Sequence, residues 1–186
     1  METLLLLAAF ALVAAPVRVL IETELGKIEV EVYPEQAPVT SENFLFYVDA
    51  GHYDGGQFHR SVTPDNQKDD EVKIEVIQAS VAAAKEREAR APIALERTRS
   101  TGLLHRDGTV SMARSGPDSA TSSFFICIGD QPELDFGGKR NPDGQGFAAF
   151  GRVVNGMDVV KKIQASPRVE QRLAPPIRIR SVRRVR

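Results

Sequence analysis

One cysteine, three histidines and a net charge of −1 at pH 7 are what 186 residues offer where a metal, redox or nucleic-acid protein would have more. Cys127 alone excludes an internal disulfide and a cysteine-rich metal site, and its apolar neighbours mark an inert buried thiol. His52, His59 and His105 share no ligand spacing and no CxxC pair exists, so neither a metal nor any other cofactor is implied. Without a charge excess, nothing argues for nucleic acid as a partner. No serine sits in a GxSxG elbow, so a hydrolase triad built from Ser111, His59 and Asp135 has no support. His105 to Asp107 and Asp135 to Gly137 spell two kinase triplets, yet no Gly-rich loop or strand lysine precedes them. The glycines at 137, 138, 144 and 146 lack the lysine and hydroxyl of a phosphate cradle and read as a turn.

Long apolar runs are also missing. The longest, Leu4 to Ala15, falls short of the roughly 20 residues that span a bilayer. Its small residues at Val13 and Ala15 suit cleavage by signal peptidase, although the leading segment has Glu2 and no positive charge. Residues 1–15 are therefore expected to be a signal peptide, with an exported, periplasmic or secreted product and no stable membrane insertion after cleavage. A retained anchor or a misassigned start codon are the alternatives, the latter implying a cytoplasmic protein.

What is present begins at Val17. Val17, Val19 and Ile21 alternate with polar residues, as do Ile28, Val30 and Val32, and Leu25 and Gly26 join the two runs into a β-hairpin. Thr40 is expected to cap a helix with Phe44, Tyr47 and Val48 on one face and Gly51 at its end. Further strands are expected at 57–62, 72–79, 109–113, 123–129, 147–154 and 176–184, with a second helix near Met157 to Ala165. Eight strands and two helices predict a mainly β protein, an antiparallel barrel capped by helices, in one domain over 16–186. Residues 81–106, rich in Ala, Lys, Arg and Glu, read as a long surface excursion, with Glu86, Glu88 and Arg90 as a solvated face. The arginine-rich tail alternates Ile177, Ile179, Val182 and Val185 and reads as the last barrel strand, not as a nucleic-acid arm.

The motifs FHR at 58–60, IQA at 77–79, SMAR at 111–114, FFI at 124–126, ELD at 133–135 and FGRVVNGMDVV at 150–160 lie in the order found in cyclophilins. From Val17 onward the chain resembles these peptidyl-prolyl cis/trans isomerases. The resemblance implies a surface groove for proline-containing polypeptides, with Arg60 as catalytic arginine and Gln78 as its groove glutamine. It also implies Phe125 as the floor of the proline pocket, Ala113 as a backbone contact, and Val76, Leu134, Phe147, Ser123 and Arg114 as further substrate contacts. Arg114 and an aromatic at 147 resemble bacterial members.

Several positions depart from the family pattern. Glu75 and Val76 stand where Phe and Met are common, Ser123 replaces a glutamine, and Glu133 occupies a position often held by tryptophan. Since that tryptophan contacts cyclosporin, weak binding of the drug is expected. Gln67 is a weaker rival to Gln78, and Phe136 a partial substitute for the missing aromatic surface. Two functions remain open: an isomerase assisting protein folding, and a catalytically weak module that binds peptides or a partner. A monomer is expected in either case.

The chemistry asks for few groups. Rotation about an X-Pro bond must break amide resonance, with a barrier of roughly 18–20 kcal/mol, but makes no covalent bond. A thousandfold acceleration needs roughly 4 kcal/mol. One charge-assisted hydrogen bond supplies about 1.5–3 kcal/mol of that.

Overall fold

The alternation after Val17 produces the hairpin it predicts. In the computed structural model, which describes residues 15–185, β1 (Val17–Thr23) pairs antiparallel with β2 (Gly26–Val32), with Val19 opposite Val30 and Ile21 opposite Ile28. These four side chains are fully buried, while the intervening residues are exposed or half-buried. The expected signal segment lies outside the described residues except for Ala15. Among the described residues no helix is long and apolar enough to cross a membrane.

Helix α1 (Pro38–Asp49) follows and buries Phe44, Tyr47 and Val48 against the sheet, as their spacing predicts. Its start corrects the assignment of Thr40 as cap. Pro38 occupies the first turn, where its missing N–H is no loss, and Thr40 lies inside the helix. The orphan amides of Val39 and Thr40 donate instead to the Glu96 carboxylate, at 3.1 and 2.8 Å, and the Thr40 hydroxyl adds a third bond at 2.6 Å. Gly51 ends the helix as expected: at φ +67° it lets its own N–H reach the Val48 carbonyl and that of His52 reach the Tyr47 carbonyl.

The remaining strands are β3 (Gln57–Val62), β4 (Val76–Ser80), β5 (Thr109–Met112), β6 (Phe124–Cys127), β7 (Ala148–Asn155), β8 (Arg168–Val169) and β9 (Arg172–Arg184). They run in the order β1-β2-β7-β5-β6-β4-β3-β9, and pairing of β1 with β9 closes the ring. This is the expected eight-stranded antiparallel barrel, with β8 a two-residue addition paired to β9 alone. The long last strand bears out the reading of the tail in part: Ile177, Ile179 and Val182 point inward, but Val185 lies past the end of the strand and is exposed. Helix α3 (Met157–Gln164) covers the barrel with Val159, Val160 and Ile163, so α1 and α3 are the two expected helices. A single four-residue turn of helix, α2 (Thr98–Thr101), lies between β4 and β5.

Two expectations change. Residues 72–75 do not extend β4, because the Gln67 side chain closes the preceding loop, bonding Ile74 N and O and the Thr63 carbonyl. The segment 81–106 is not merely surface. Glu86, Glu88 and Arg90 are exposed as predicted, but Leu95, Thr98 and His105 are buried, and Ile93 forms a bridge with Ala120. With Glu96 on α1, this docking makes the segment part of the fold.

Candidate active site

The interior and exterior of the barrel are decided strand by strand. Phe58, Ile77, Ala79, Phe124 and Ile126 fill the central core, whereas Val62, Val76, Phe125 and Cys127 form a second cluster on the outer face with Ile74 and Leu134. Phe124 and Phe125 therefore face opposite ways, as neighbours in a strand must.

Arg60 departs from simple alternation. Strict period two would place it on the inner face with Phe58. The pairing of β3 with β4 instead shifts between Phe58 and Arg60, leaving His59 as the extra residue, and the pairing with β9 also shifts there, from Ile177 to Arg172. Such a bulge re-aims a side chain, and here it turns Arg60 outward, opposite Gln78 and on the same side as Val62.

The guanidinium is then held by two amides. Nη1 donates to Gln78 Oε1 at 3.0 Å, while Nε and Nη2 donate to Gln171 Oε1 at 2.9 and 2.6 Å. Gln171 is in turn oriented by its bond to the Asn66 carbonyl at 3.1 Å. A guanidinium has five N–H donors, so one on each terminal nitrogen stays available. No carboxylate hydrogen-bonds Arg60 among the described residues. Burial, and then the positive charge of Arg140, lowers its pKa from the ordinary arginine value.

Beside Arg60 lies a cavity of about 210 Å³. It is smaller than the roughly 300–1,000 Å³ that hold drug-sized ligands, and suits one side chain. Phe125, Val76, Leu134 and Phe147 give it apolar walls, and Gln78, Ala113 and Arg114 complete the expected set. Only Ser123 is not on its wall; it lines the wider groove on the other flank of Arg60, together with His59. Glu75 also faces away, accepting a bond from Gln164 at 2.9 Å. Gln67, buried in its loop, does not line the cavity.

Phe125 is 5 % exposed and buttressed on two sides. Phe147 meets it edge-on at 5.3 Å and 89°. Arg114 lies 5.0 Å over the Phe147 ring, donates through Nε to the Gly146 carbonyl, and forms a two-pronged pair with Asp143 at 2.7 and 2.9 Å. That pair holds the Asp143 carboxyl down at about 2. Beneath Phe125 lies His105, 1 % exposed, whose Nδ1 is 2.7 Å from Asp135 Oδ1 and whose Nε2 is 2.9 Å from the Ser111 hydroxyl. Ser111 and Asp135 are thus linked through a histidine, but through His105 and not His59. Ser111 is fully buried, so no ester can reach its hydroxyl, and the chain of bonds serves to support the pocket floor.

Glu133, at the tryptophan position, organises the loop beyond it. Its carboxylate accepts the Lys139 amide at 2.8 Å and its carbonyl accepts the Arg140 amide at 3.1 Å. Gly138 packs so closely that a Cβ there would lie 2.4 Å from the Glu133 carbonyl oxygen, so glycine is required. Phe136 takes no part in the cavity; its ring lies under Arg99 at 4.1 Å. Sequence reasoning missed Ile74, Arg140 and Asn141 on the cavity wall and Gln171 behind Arg60. All four lie in loops or turns outside the recognised motifs, where no periodic signal exists.

Among the described residues no group of three or more His, Cys, Asp or Glu side chains could hold a metal. The arrangement can bind a small apolar ring and donate two hydrogen bonds beside it.

Comparison with known proteins agrees with this geometry. The family described as cyclophilin type peptidyl-prolyl cis-trans isomerase/CLD matches residues 18–184. A peptidyl-prolyl cis-trans isomerase of Acinetobacter baylyi is 41% identical over 166 residues, covering 88% of this chain and 79% of its own. Peptidyl-prolyl cis-trans isomerase B of Escherichia coli is 35% identical, covering 76% and 80%. In fold, a crystal structure of a cyclophilin type isomerase from Cryptosporidium parvum, obtained in the presence of the dipeptide Ala-Pro, superimposes with a TM-score of 0.73 at 20% identity, over 91% of this chain and 99% of its own. The match along nearly the whole barrel, with relatives above a third identical, establishes that this chain belongs to the cyclophilin-type peptidyl-prolyl cis-trans isomerases.

Proposed function

We propose that the chain assists protein folding by rotating X-Pro bonds without covalent chemistry, using Arg60 as its catalytic group. The observation that carries this is the fixed guanidinium with two free donors beside a cavity floored by Phe125 and walled by Val76, Leu134 and Phe147. The proline ring enters the cavity and stays still while the chain before it turns. Arg60, aligned by Gln78 and Gln171, donates to the substrate backbone and favours the twisted amide, in which the proline nitrogen regains its lone pair. Because both supporting amides are already in place, little reorganisation is required as the bond twists. Val76, Leu134, Phe147 and the Ala113 backbone shape the cavity, and Arg114 secures Phe147.

A protease-coupled assay on a proline tetrapeptide tests the assignment. Arg60→Ala should lower kcat/KM about ten- to hundredfold, the loss of one charge-assisted hydrogen bond of about 1.5–3 kcal/mol. Equal turnover by the variant and the wild type would end the arginine mechanism. Faster refolding of a protein limited by proline isomerisation would support the folding role. The second reading, a peptide-binding module of feeble activity, draws on Ser123 and Glu133; peptide binding with no rate acceleration would favour it.

Export belongs to the same proposal, carried by residues 1–15, with 16–186 as the mature monomeric domain. N-terminal sequencing of the native protein should begin near Pro16. A start at Met1 would remove export and leave the site untouched.

A further inference from the structure

The charged side chains on the wall of the proline cavity are Arg60, Arg114 and Arg140, and no acidic side chain lines it among the described residues. These three cations are not equivalent. Arg114 uses Nε on the Gly146 carbonyl and both terminal nitrogens on Asp143. Arg60 is committed to Gln78 and Gln171. Arg140 engages Nη1 alone, at 2.7 Å from the Val72 carbonyl and 3.1 Å from Asp70 Oδ2. Its Nε and Nη2 make no hydrogen bond to any described residue.

That open edge is fixed in place. The Arg140 amide is bonded to the Glu133 carbonyl, and Nη1 reaches across to the loop carrying Val72, so the residue is tied at both ends. Its side chain is 13% exposed, whereas that of Asp70 is 43% exposed. A largely dehydrated guanidinium with an unfilled Nε/Nη2 fork favours a planar anion, since two parallel N–H bonds match a carboxylate. Solvent weakens the opposing charge of Asp70 more than it weakens the cation. Besides burial, Arg140 lowers and, more weakly, Asp70 raises the basicity of Arg60, so all three charges act in one electrostatic field.

We propose that Arg140 makes this isomerase selective for prolines accompanied by a carboxylate, supplied either by an acidic side chain next to the proline or by the end of a chain that terminates in proline. This rests on the reading that the substrate proline occupies the Phe125 cavity. Arg140 is then a specificity-determining residue, distinct from the group that turns the bond.

Exchange spectroscopy by NMR, which needs no coupling protease, tests this on capped peptides with Glu, Ala or Lys before or after a single proline. A further pair ends in proline as free acid or as amide. Glu should exceed Lys about fivefold in kcat/KM at low salt, and the advantage should shrink at about 0.5 M salt. An advantage of acid over amide in the terminal pair would identify the chain end as the source, and one confined to Glu the side chain. Arg140→Gln, which keeps a donor for Val72, should bring the Glu to Lys ratio to about one. Equal rates for Glu and Lys together with equal rates for the free acid and the amide in the wild type, with Ala peptides turned over, would overturn the proposal and leave the isomerase reading intact. So would a preference that survives Arg140→Gln. Failure to turn over any peptide would remove both.

Discussion

The imidazole of His105 lies almost parallel to the ring of Phe125, with 6.0 Å between centroids and 14° between planes. Its two nitrogens are taken by Asp135 and Ser111, so the ring cannot rotate without breaking buried bonds. His105→Ala should leave a void under the pocket floor and the buried Ser111 hydroxyl without its partner, the latter costing about 1–3 kcal/mol, while Asp135 keeps the backbone amide of residue 105. Urea denaturation should register a loss of about 3 kcal/mol, and KM for a neutral proline peptide should rise as Phe125 loosens. An unchanged denaturation midpoint would show that the pair is incidental.

Gln171 supports Arg60 from the turn between β8 and β9. Removing it by Gln171→Ala should reduce kcat about fivefold, near the ~1 kcal/mol of a single hydrogen bond, with little change in KM. In an Arg60→Ala background the same change should have no further effect, since it acts only through the guanidinium. Additive losses would contradict that role.

Glu96 caps α1 from a segment more than fifty residues away. Glu96→Ala should cost about 1–2 kcal/mol of stability, the range for loss of a helix cap. Turnover per folded molecule should stay at the wild-type level. A thermal melt that matches the wild type would mean that water caps the helix equally well.

Asp143, held at about 2 by Arg114, gives a pH signature. Its folded pKa lies below the unfolded value of about 3.9, so its contribution is complete above about pH 4 and disappears as pH falls towards 2. The stability difference between wild type and Asp143→Asn should follow that course. A difference that changed instead between pH 6 and 8 would point to another group.

Cyclosporin should inhibit weakly, because the carboxylate of Glu133 is turned to its own loop and offers no aromatic face. Submicromolar inhibition would contradict this. Glu133→Trp tests the same idea in reverse and should strengthen inhibition.

Much of the barrel could be read locally. Val19, Ile21, Ile28 and Val30 announce their hairpin by period two, and Phe44, Tyr47 and Val48 announce the inner face of α1. Of the nine expected site residues, all but Ser123 line the cavity. That agreement came from motif resemblance, since no periodicity distinguishes Gln78 or Ala113 from ordinary strand residues. Where reading failed, the partner was distant in sequence. Thr40 looked like a cap because Glu96 could not be seen as one, and 72–75 looked like strand because the closure by Gln67 is a side-chain event.

The sequence by itself determined the barrel and its two covering helices, because alternation and turn chemistry act between neighbours, and the residue types of the pocket through the order of its motifs. Only the tertiary structure decided which way those residues face and what holds them. The bulge at His59 reverses the direction expected for Arg60, and Gln171, 111 positions away, fixes its guanidinium. The same is true of His105 beneath Phe125 and Arg140 across the cavity. A bulge depends on the pairing of three strands, and a long-range hydrogen bond depends on closure of the barrel, so neither leaves a local trace in the chain.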